Sequence, residues 1–300
     1  MTVSVIIVNW NTRDLTLAAV DSVLAQELDD EVEVIVVDNG SRDGTVEALA
    51  GRKSVRCIAS PVNLGFAGGN NLGLRRARGE FTLLLNSDAQ LEPGALRTLV
   101  EEARRHPEAG AIGPRVRYPD GRVQYTWDYV PSLLAELHLV LIQRRRIASA
   151  AWQAEVSGWR ESRAVKGVQL AALLVPMKAW RRIGLLATEP FLFFEEGDLS
   201  LRLLRAGYRL RYVPAAEVVH HEGQSTAQVP RRKRVAHYRS RLWFYGKHCG
   251  AAAAGLIRWL SAARASVGLL LARDEAEKEE LWRPILAMSR RTCRQTRRRS

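Results

Sequence analysis

Leu83-Leu84-Leu85-Asn86-Ser87-Asp88-Ala89 runs an apolar segment straight into a carboxylate. A hard cation such as Mg²⁺ or Mn²⁺ takes oxygen ligands of this kind, and beside a substrate diphosphate it needs few of them from the protein. An aspartate after a strand can equally cap the next helix. Glu195-Glu196-Gly197-Asp198 crowds its carboxylates behind the apolar residues 191–194. Acids at a helix start complement its dipole, whereas a crowded, partly desolvated carboxylate becomes a general base because both effects raise its pKa. His220 and His221 follow Val218-Val219, where an imidazole could complete a metal shell or serve structure alone.

Two loops could hold a nucleotide. Asp38-Asn39-Gly40-Ser41 ends an apolar run and leads into Asp43-Gly44-Thr45. A carboxylate there could accept a hydrogen bond from a pyrimidine N–H, with Gly and Ser letting backbone amides approach a ribose or phosphate; an ordinary capped turn has the same composition. Asn63-Leu64-Gly65-Phe66-Ala67-Gly68-Gly69-Asn70-Asn71 precedes a helical pattern. Its glycines permit close approach, and a helix amino terminus favours diphosphate; a surface loop is the alternative.

The elements that must position these residues read as an α/β domain. Strands are expected at residues 3–8, 32–37, 55–59, 81–85, 168–175 and 209–213, the first four nearly continuously apolar, as strands buried on both faces are. Helices are expected near Asp14, Asp43, Gly68, after Pro93, near Lys178, and up to Ala206. Ligands of such a mostly parallel sheet gather at the carboxyl ends of its strands, which places Asn9, Asn11, residues 38–41, 63–71 and 86–88 at one edge. Residues 127–166 are aromatic and arginine-rich with weak periodicity and read as a variable insertion shaping an acceptor region.

With 300 residues, 47% of them hydrophobic, the chain can bury a full core. Cys57, Cys249 and Cys293 form no C-x-x-C pair, which excludes a zinc knuckle or dithiol redox site and fits a reducing, cytoplasmic compartment. No charged-then-apolar leader opens the chain, so secretion is not expected. The formal charge of +13 resides in residues 226–300, with 18 Lys and Arg against 5 Asp and Glu. Residues 1–225 are therefore expected to form the enzyme body and residues 226–300 a basic helical extension that meets an anionic surface. Within it, residues 251–272 are apolar, but Arg258 and Arg264 would each cost about 2.5–3.5 kcal/mol at mid-bilayer, against a span. Leu256, Trp259, Leu260, Ala263, Val267, Leu270 and Leu271 share one face, as in a helix lying on a membrane or packed on the body. Arginines at 231–234 and 290–299 favour the membrane, on the inner face of the cell membrane.

Taken in order, these motifs resemble the family 2 inverting glycosyltransferases of GT-A fold, in particular the bacterial rhamnosyltransferase-like branch of cell-surface polysaccharide synthesis. The resemblance covers residues 3–225. Val5-Ile6-Ile7-Val8-Asn9-Trp10-Asn11 is similar to the family's first strand, Asp38-Asn39-Gly40-Ser41 to its nucleoside-binding turn, and residues 63–71 to its N-x-G-F-x-x-G-x-N loop. Asn86-Ser87-Asp88 is similar to its D-x-D motif, and residues 195–198 to its E-D-x-D, with Glu196 at the base position. Residues 199–202, 205–208 and 218–220 also match. Where the family carries Gly-Phe-Asp-Glu, this chain has Gly184-Leu185-Leu186-Ala187.

The resemblance implies Glu196 as catalytic base and Asp88 and His220 as ligands of Mg²⁺ or Mn²⁺. It implies a nucleotide-sugar site of Asn9, Asn11, Asp38, Asn39, Ser41, Asn63, Gly65, Gly69, Asn70, Ser87 and Asp198. The donor is expected to be dTDP-rhamnose or a UDP-sugar, and the acceptor a glycan or lipid-linked glycan. Two other classes compete: a sugar nucleotidyltransferase, which would need a glycine-rich phosphate loop with a lysine that residues 9–14 lack, and a non-catalytic module docking on membrane or nucleic acid. Nucleic acid is not the expected partner.

Overall fold

The computed structural model describes residues 2–127, 147, 149–224 and 228–290. Half of the 127–166 insertion and the arginines beyond Arg290 lie outside the described residues, as does Cys293. By contact density the chain divides into two compact units, Met1–Ala187 with Glu196–Ser225, and Thr188–Glu195 with Thr226–Ser300.

The first unit is an α/β fold around one mixed sheet. Its strands are β1 (Thr2–Asn9), β2 (Glu31–Asp38), β3 (Val55–Ala59), β4 (Phe81–Asn86), β5 (Ala89–Leu91), β6 (Ala109–Arg117), β7 (Arg163–Val165), β8 (Ala172–Pro176) and β9 (Arg209–His220). Its helices are α1 (Arg13–Leu24), α2 (Thr45–Leu49), α3 (Gly65–Leu74), α4 (Ala95–Arg105), α5 (Ala150–Ser157), α6 (Met177–Ile183) and α7 (Glu195–Arg205). The strands lie in the order β3-β2-β1-β4-β8-β6-β9-β5, with β7 beside β9. β3, β2, β1 and β4 are mutually parallel, whereas β8 runs antiparallel to both β4 and β6.

The two-residue strand period divides the core. Val3, Val5, Ile7, Leu83 and Leu85 face one side, with Ala19, Val20, Val23, Leu96, Leu99 and Val100 of α1 and α4. Ile6 and Leu84 face the other, with Ala67, Leu74, Trp180, Leu199 and Leu203 of α3, α6 and α7. Burial on both faces is why these strands are continuously apolar.

Several elements differ from the sequence expectation. The run at 168–175 becomes strand only from Ala172, because the Ala171 carbonyl accepts the Asn86 N–H and Val168 instead bridges Trp127. α3 starts at Gly65 rather than near Gly68, since the Asn63 side chain takes the Gly65 N–H at 2.8 Å. β6 carries Gly110, Gly113, Pro114 and Arg115, a composition unlike a buried strand. Gly110 is needed because a Cβ there would lie 2.6 Å from the Tyr208 side chain, and Pro114 sits at a register shift against β9, where its missing N–H is tolerated. In the described part of the insertion, Trp127 stacks on Trp152 with centroids 5.9 Å apart, and both are buried; these aromatics are core.

The second unit is helical: α8 (Pro230–His248), α9 (Gly250–Leu271), then Glu275–Glu277, a π-turn at Lys278–Trp282, and Arg283–Arg290. Ala265, Leu281, Trp282 and Ile285 form its own core. Gly268 admits the Trp282 indole, which a Cβ would meet at 2.3 Å. α9 buries its small side, Ala254, Ile257, Ser261, Ala265 and Gly268, and turns its large side outward: Trp259 is 66% exposed, Leu270 84% and Leu271 76%. By length and hydropathy α9 could cross a membrane. Arg231 pairs with Asp274 and Glu280 at 3.4 and 3.1 Å, and Lys278 and Arg283 pair with Glu275 and Glu279. Among the described residues of this unit, Asp274, Glu275, Glu279 and Glu280 are thus paired within it.

Candidate functional site

Register explains why residues distant in sequence meet. Asn9 pairs with Asp38 at the ends of β1 and β2, and Val8 with Asn86 at the end of β4. The carboxyl ends of three neighbouring parallel strands therefore open on one edge. β9 delivers His220 to the same place by pairing it with Ala89.

Asn9 is the hub of the nucleoside-turn side. It is fully buried, and its Nδ2 lies within 3.0 Å of Asp38 Oδ1, Ser41 Oγ and Thr45 Oγ1. Its Oδ1 accepts from the Thr12 N–H, the Thr12 hydroxyl and the Thr16 hydroxyl. The amide has no hydrogen-bonding capacity left for a ligand; what it does is hold Asp38 and Ser41. Asn11, in the left-handed region at φ 52°, accepts the Arg42 N–H at 2.8 Å and donates its own N–H to Ser41 Oγ. Beside this turn lies a cleft lined by Asp38, Ser41, Arg42, Gly44, Thr45, Val46 and Glu47.

Asn39 is also consumed by structure. Its side chain bonds Asn63 Oδ1, the Gly65 carbonyl and the Leu64 N–H, pinning the 63–65 loop to the 38–41 turn. Gly40 is required there, since at φ 77° a Cβ would sit 2.9 Å from the Val62 backbone. Gly69 serves helix-to-strand contact, because a Cβ would lie 2.6 Å from Val8. Asn70 is buried and bonds the Phe66 carbonyl. Asn71 clamps the Leu186 backbone through both amide atoms, at 2.8 and 3.0 Å.

The second cluster is centred on Asp88. Its Oδ1 lies 3.2 Å from His220 Nε2, and its Oδ2 accepts the Gln224 N–H at 3.3 Å. Burial pushes this carboxyl up, but the His220 hydrogen bond and charge and the Gln224 N–H outweigh it and hold it below the usual carboxylate range. Asn86 Nδ2 lies 3.2 Å from His220 Nε2, and Asn86 Oδ1 is buried with no hydrogen-bond partner among the described residues. Ser87 shares a 2.9 Å hydrogen bond with Thr12, which links this cluster to Asn9.

These groups fit a small divalent cation. A carboxylate oxygen and an imidazole nitrogen 3.2 Å apart have about the separation of adjacent ligands on one ion with bonds of roughly 2.1 Å. The orphaned Asn86 oxygen adds a hard donor. No group of three His, Cys, Asp or Glu side chains occurs among the described residues; a cation here would complete its shell with water and substrate oxygens.

Glu196 lies on the first turn of α7, in line with the core residues Leu199 and Leu203. Burial pushes its carboxyl up, as a general base requires. No hydrogen bond of the two networks reaches it among the described residues. Asp198 is fully buried and paired with Arg202 at 2.7 Å; Arg202 in turn bonds the Ile183 and Gly184 carbonyls. Thr12, Thr45, Gln124 and Gln224 belong to the site and were not singled out by sequence. Only Gln124 had a signal: Tyr118-Pro119-Asp120-Gly121 is a turn sequence just after β6, and it folds Gln124 back beside Val116.

The mixed, mostly parallel α/β sheet flanked by helices, with these residues gathered at its strand ends, has GT-A architecture. The family model for glycosyl transferase family 2 matches residues 4–155. An N-acetylglucosaminyl-diphospho-decaprenol L-rhamnosyltransferase of Mycobacterium tuberculosis is 34% identical over 235 residues, 73% of this chain and 76% of that protein. The chain belongs to glycosyltransferase family 2 and is rhamnosyltransferase-like. Among solved structures, the mannosyltransferase PcManGT of Pyrobaculum calidifontis, in complex with GDP-Man and Mn²⁺, aligns with a TM-score of 0.58 at 18% identity, covering 96% of this chain and 83% of that one. GalNAc-T7 with UDP, GalNAc and Mn²⁺ aligns at 0.60 and 14% identity, covering 94% of this chain but 54% of its own length. These two show the shared fold.

Proposed function

We propose that the protein is a metal-dependent inverting glycosyltransferase that moves a sugar from a pyrimidine nucleoside diphosphate, dTDP-rhamnose or a UDP-sugar, to a hydroxyl of a lipid-linked glycan in cell-surface polysaccharide synthesis. The observation that carries the reading is the Asp88–His220 pair, ionised carboxylate against imidazole, at the strand ends where a diphosphate is bound. Asp88, His220 and the Asn86 oxygen would hold Mg²⁺ or Mn²⁺, which when bound supplies charge stabilisation to the departing diphosphate. Asp38 recognises the pyrimidine while Asn9 and Ser41 hold its carboxylate in place. Asn39 and Asn63 keep the following loop against that turn, and Ser87 braces the Asp88 backbone. Glu196 removes the acceptor proton as the acceptor oxygen attacks the anomeric carbon opposite the leaving group, which inverts the configuration.

A peripheral site on the inner face of the cell membrane accompanies this reading. The outward face of α9 presents Trp and Leu side chains without partners of their own size, on a unit whose remaining charge is basic. An apolar stripe flanked by cations suits an anionic lipid surface. The relative from Mycobacterium tuberculosis, named for a decaprenol-linked acceptor, supports an acceptor at that surface. The deciding experiment is a panel of nucleotide sugars tested with and without Mn²⁺, reading donor binding and hydrolysis. Turnover of a pyrimidine diphosphate sugar only with metal is expected; metal-independent turnover, or none with any donor, would reject the reading.

A further inference from the structure

We infer that Gln124 is a positioning residue that fixes the tautomer of His220 and aims its Nε2 at the metal position beside Asp88. The inference rests on the metal site proposed above and adds to it a residue outside the matched motifs.

The geometry is closed on both sides of the Gln124 amide. Its Nε2 donates to the His220 carbonyl at 2.8 Å, and a carbonyl can only accept. The other amide atom is therefore the oxygen, which fixes the orientation without reference to electron density. That oxygen lies 2.9 Å from His220 Nδ1, so Nδ1 must carry the proton. Nε2 is then the nitrogen left to exchange its proton for a cation; it faces Asp88 Oδ1 and Asn86 Nδ2, both at 3.2 Å, and in the metal-free protein it donates to the Asp88 carboxylate. A free neutral histidine prefers the opposite tautomer, with the proton on Nε2, which would point an N–H at the space a cation needs. Gln124 is buried, so water does not compete for the contact.

The fold supplies this partner deliberately. The Tyr118-Pro119-Asp120-Gly121 turn, with Gly121 at φ 85° and the Arg122 carbonyl accepting the Tyr118 N–H, reverses the chain at the end of β6. The Gln124 N–H then bonds the Val116 carbonyl, and Val116 is paired with Val218 of β9, two residues before His220. The hairpin sets Gln124 one strand away from the ring it holds. Such partners of a ligating histidine are worth about 10–100-fold in metal affinity.

The test begins with the metal-free wild-type protein, labelled with ¹⁵N. Long-range ¹H–¹⁵N correlations of His220 should report a proton on Nδ1; an Nδ1 that carries none overturns the inference and needs no variant. Mn²⁺ binding by electron paramagnetic resonance then separates the roles. Gln124→Leu should weaken Mn²⁺ by about 10–100-fold, and Gln124→Glu, which keeps an acceptor at Nδ1 but loses the donor to the His220 carbonyl, should recover part of that loss. If His220→Ala loses Mn²⁺ while Gln124→Leu binds it like the wild type, the positioning role is wrong and the metal site stands. If His220→Ala itself binds Mn²⁺ normally, the metal site falls and this inference with it.

Discussion

Asp88 Oδ1 and His220 Nε2 face each other across 3.2 Å, although they belong to the ends of strands that do not pair directly in the register of the central sheet. The contact exists because β5, immediately after Asp88, lies antiparallel to β9. Asp88 is ionised in this setting, so the proposed cation between the two groups would be held by opposite charge and, once Nε2 gives up its proton, by the imidazole lone pair.

Replacing Asp88 with Asn should abolish Mn²⁺ binding and lower kcat by about 10³-fold or more, the equivalent of several kcal/mol of lost charge stabilisation. Isothermal titration with Mn²⁺ and a donor, beside a transfer assay, checks it. A variant that transfers sugar at the wild-type rate would remove Asp88 from the site.

Glu196→Gln should reduce transfer by about 10²–10⁴-fold and leave donor affinity unchanged. Because burial raises the Glu196 pKa, its basic form fills only as pH climbs past the ordinary carboxylate range. The wild-type kcat/KM should therefore rise with pH through a value above 4.5, and the residual rate of Glu196→Gln should lack that limb. The raised value also means that the ionised carboxylate works against folding, so the variant should be no less stable than the wild type towards high pH.

Asn9→Ala should destabilise the fold by about 1–3 kcal/mol, since it removes the partner of the buried Thr12 N–H and of one Asp38 oxygen, while the Thr12, Thr16 and Thr45 hydroxyls keep Ser87, the Thr12 carbonyl and Asp43. Denaturant unfolding measures the loss. A neutral effect would show that these groups find other partners.

Trp259→Glu combined with Leu270→Glu should leave stability within about 0.5 kcal/mol, both positions being exposed, and should abolish sedimentation with anionic vesicles. Retention on the vesicles would locate membrane binding elsewhere.

Much of the scaffold was legible in the sequence because strands buried on both faces leave nearly continuous apolar runs, as at residues 34–37 and 81–85, the latter broken only by Thr82. β6 was not legible, since its glycines and Pro114 answer to close approach of Tyr208 and to a register shift, neither of which has a local signature. Among the site residues, the apolar runs before them drew attention to Asp88 and to the His220–His221 pair, the family resemblance chose His220, and the structure places Asp88 and His220 as neighbours. It did not reveal that Asn9 and Asn39 face inward. An asparagine whose amide holds the backbone and one that offers it to a ligand are the same letter at the same strand end, and only burial and partners separate them.

The Asn9 amide also has a thermodynamic consequence. Through Thr12 and Ser87 it connects the turn that carries Asp38 with the loop that carries Asp88, so the two ends of the donor cleft are ordered by bonds internal to the fold. The entropy of arranging them is lost when the chain folds, and a ligand reaching across both meets a rigid gauge instead of one it must assemble.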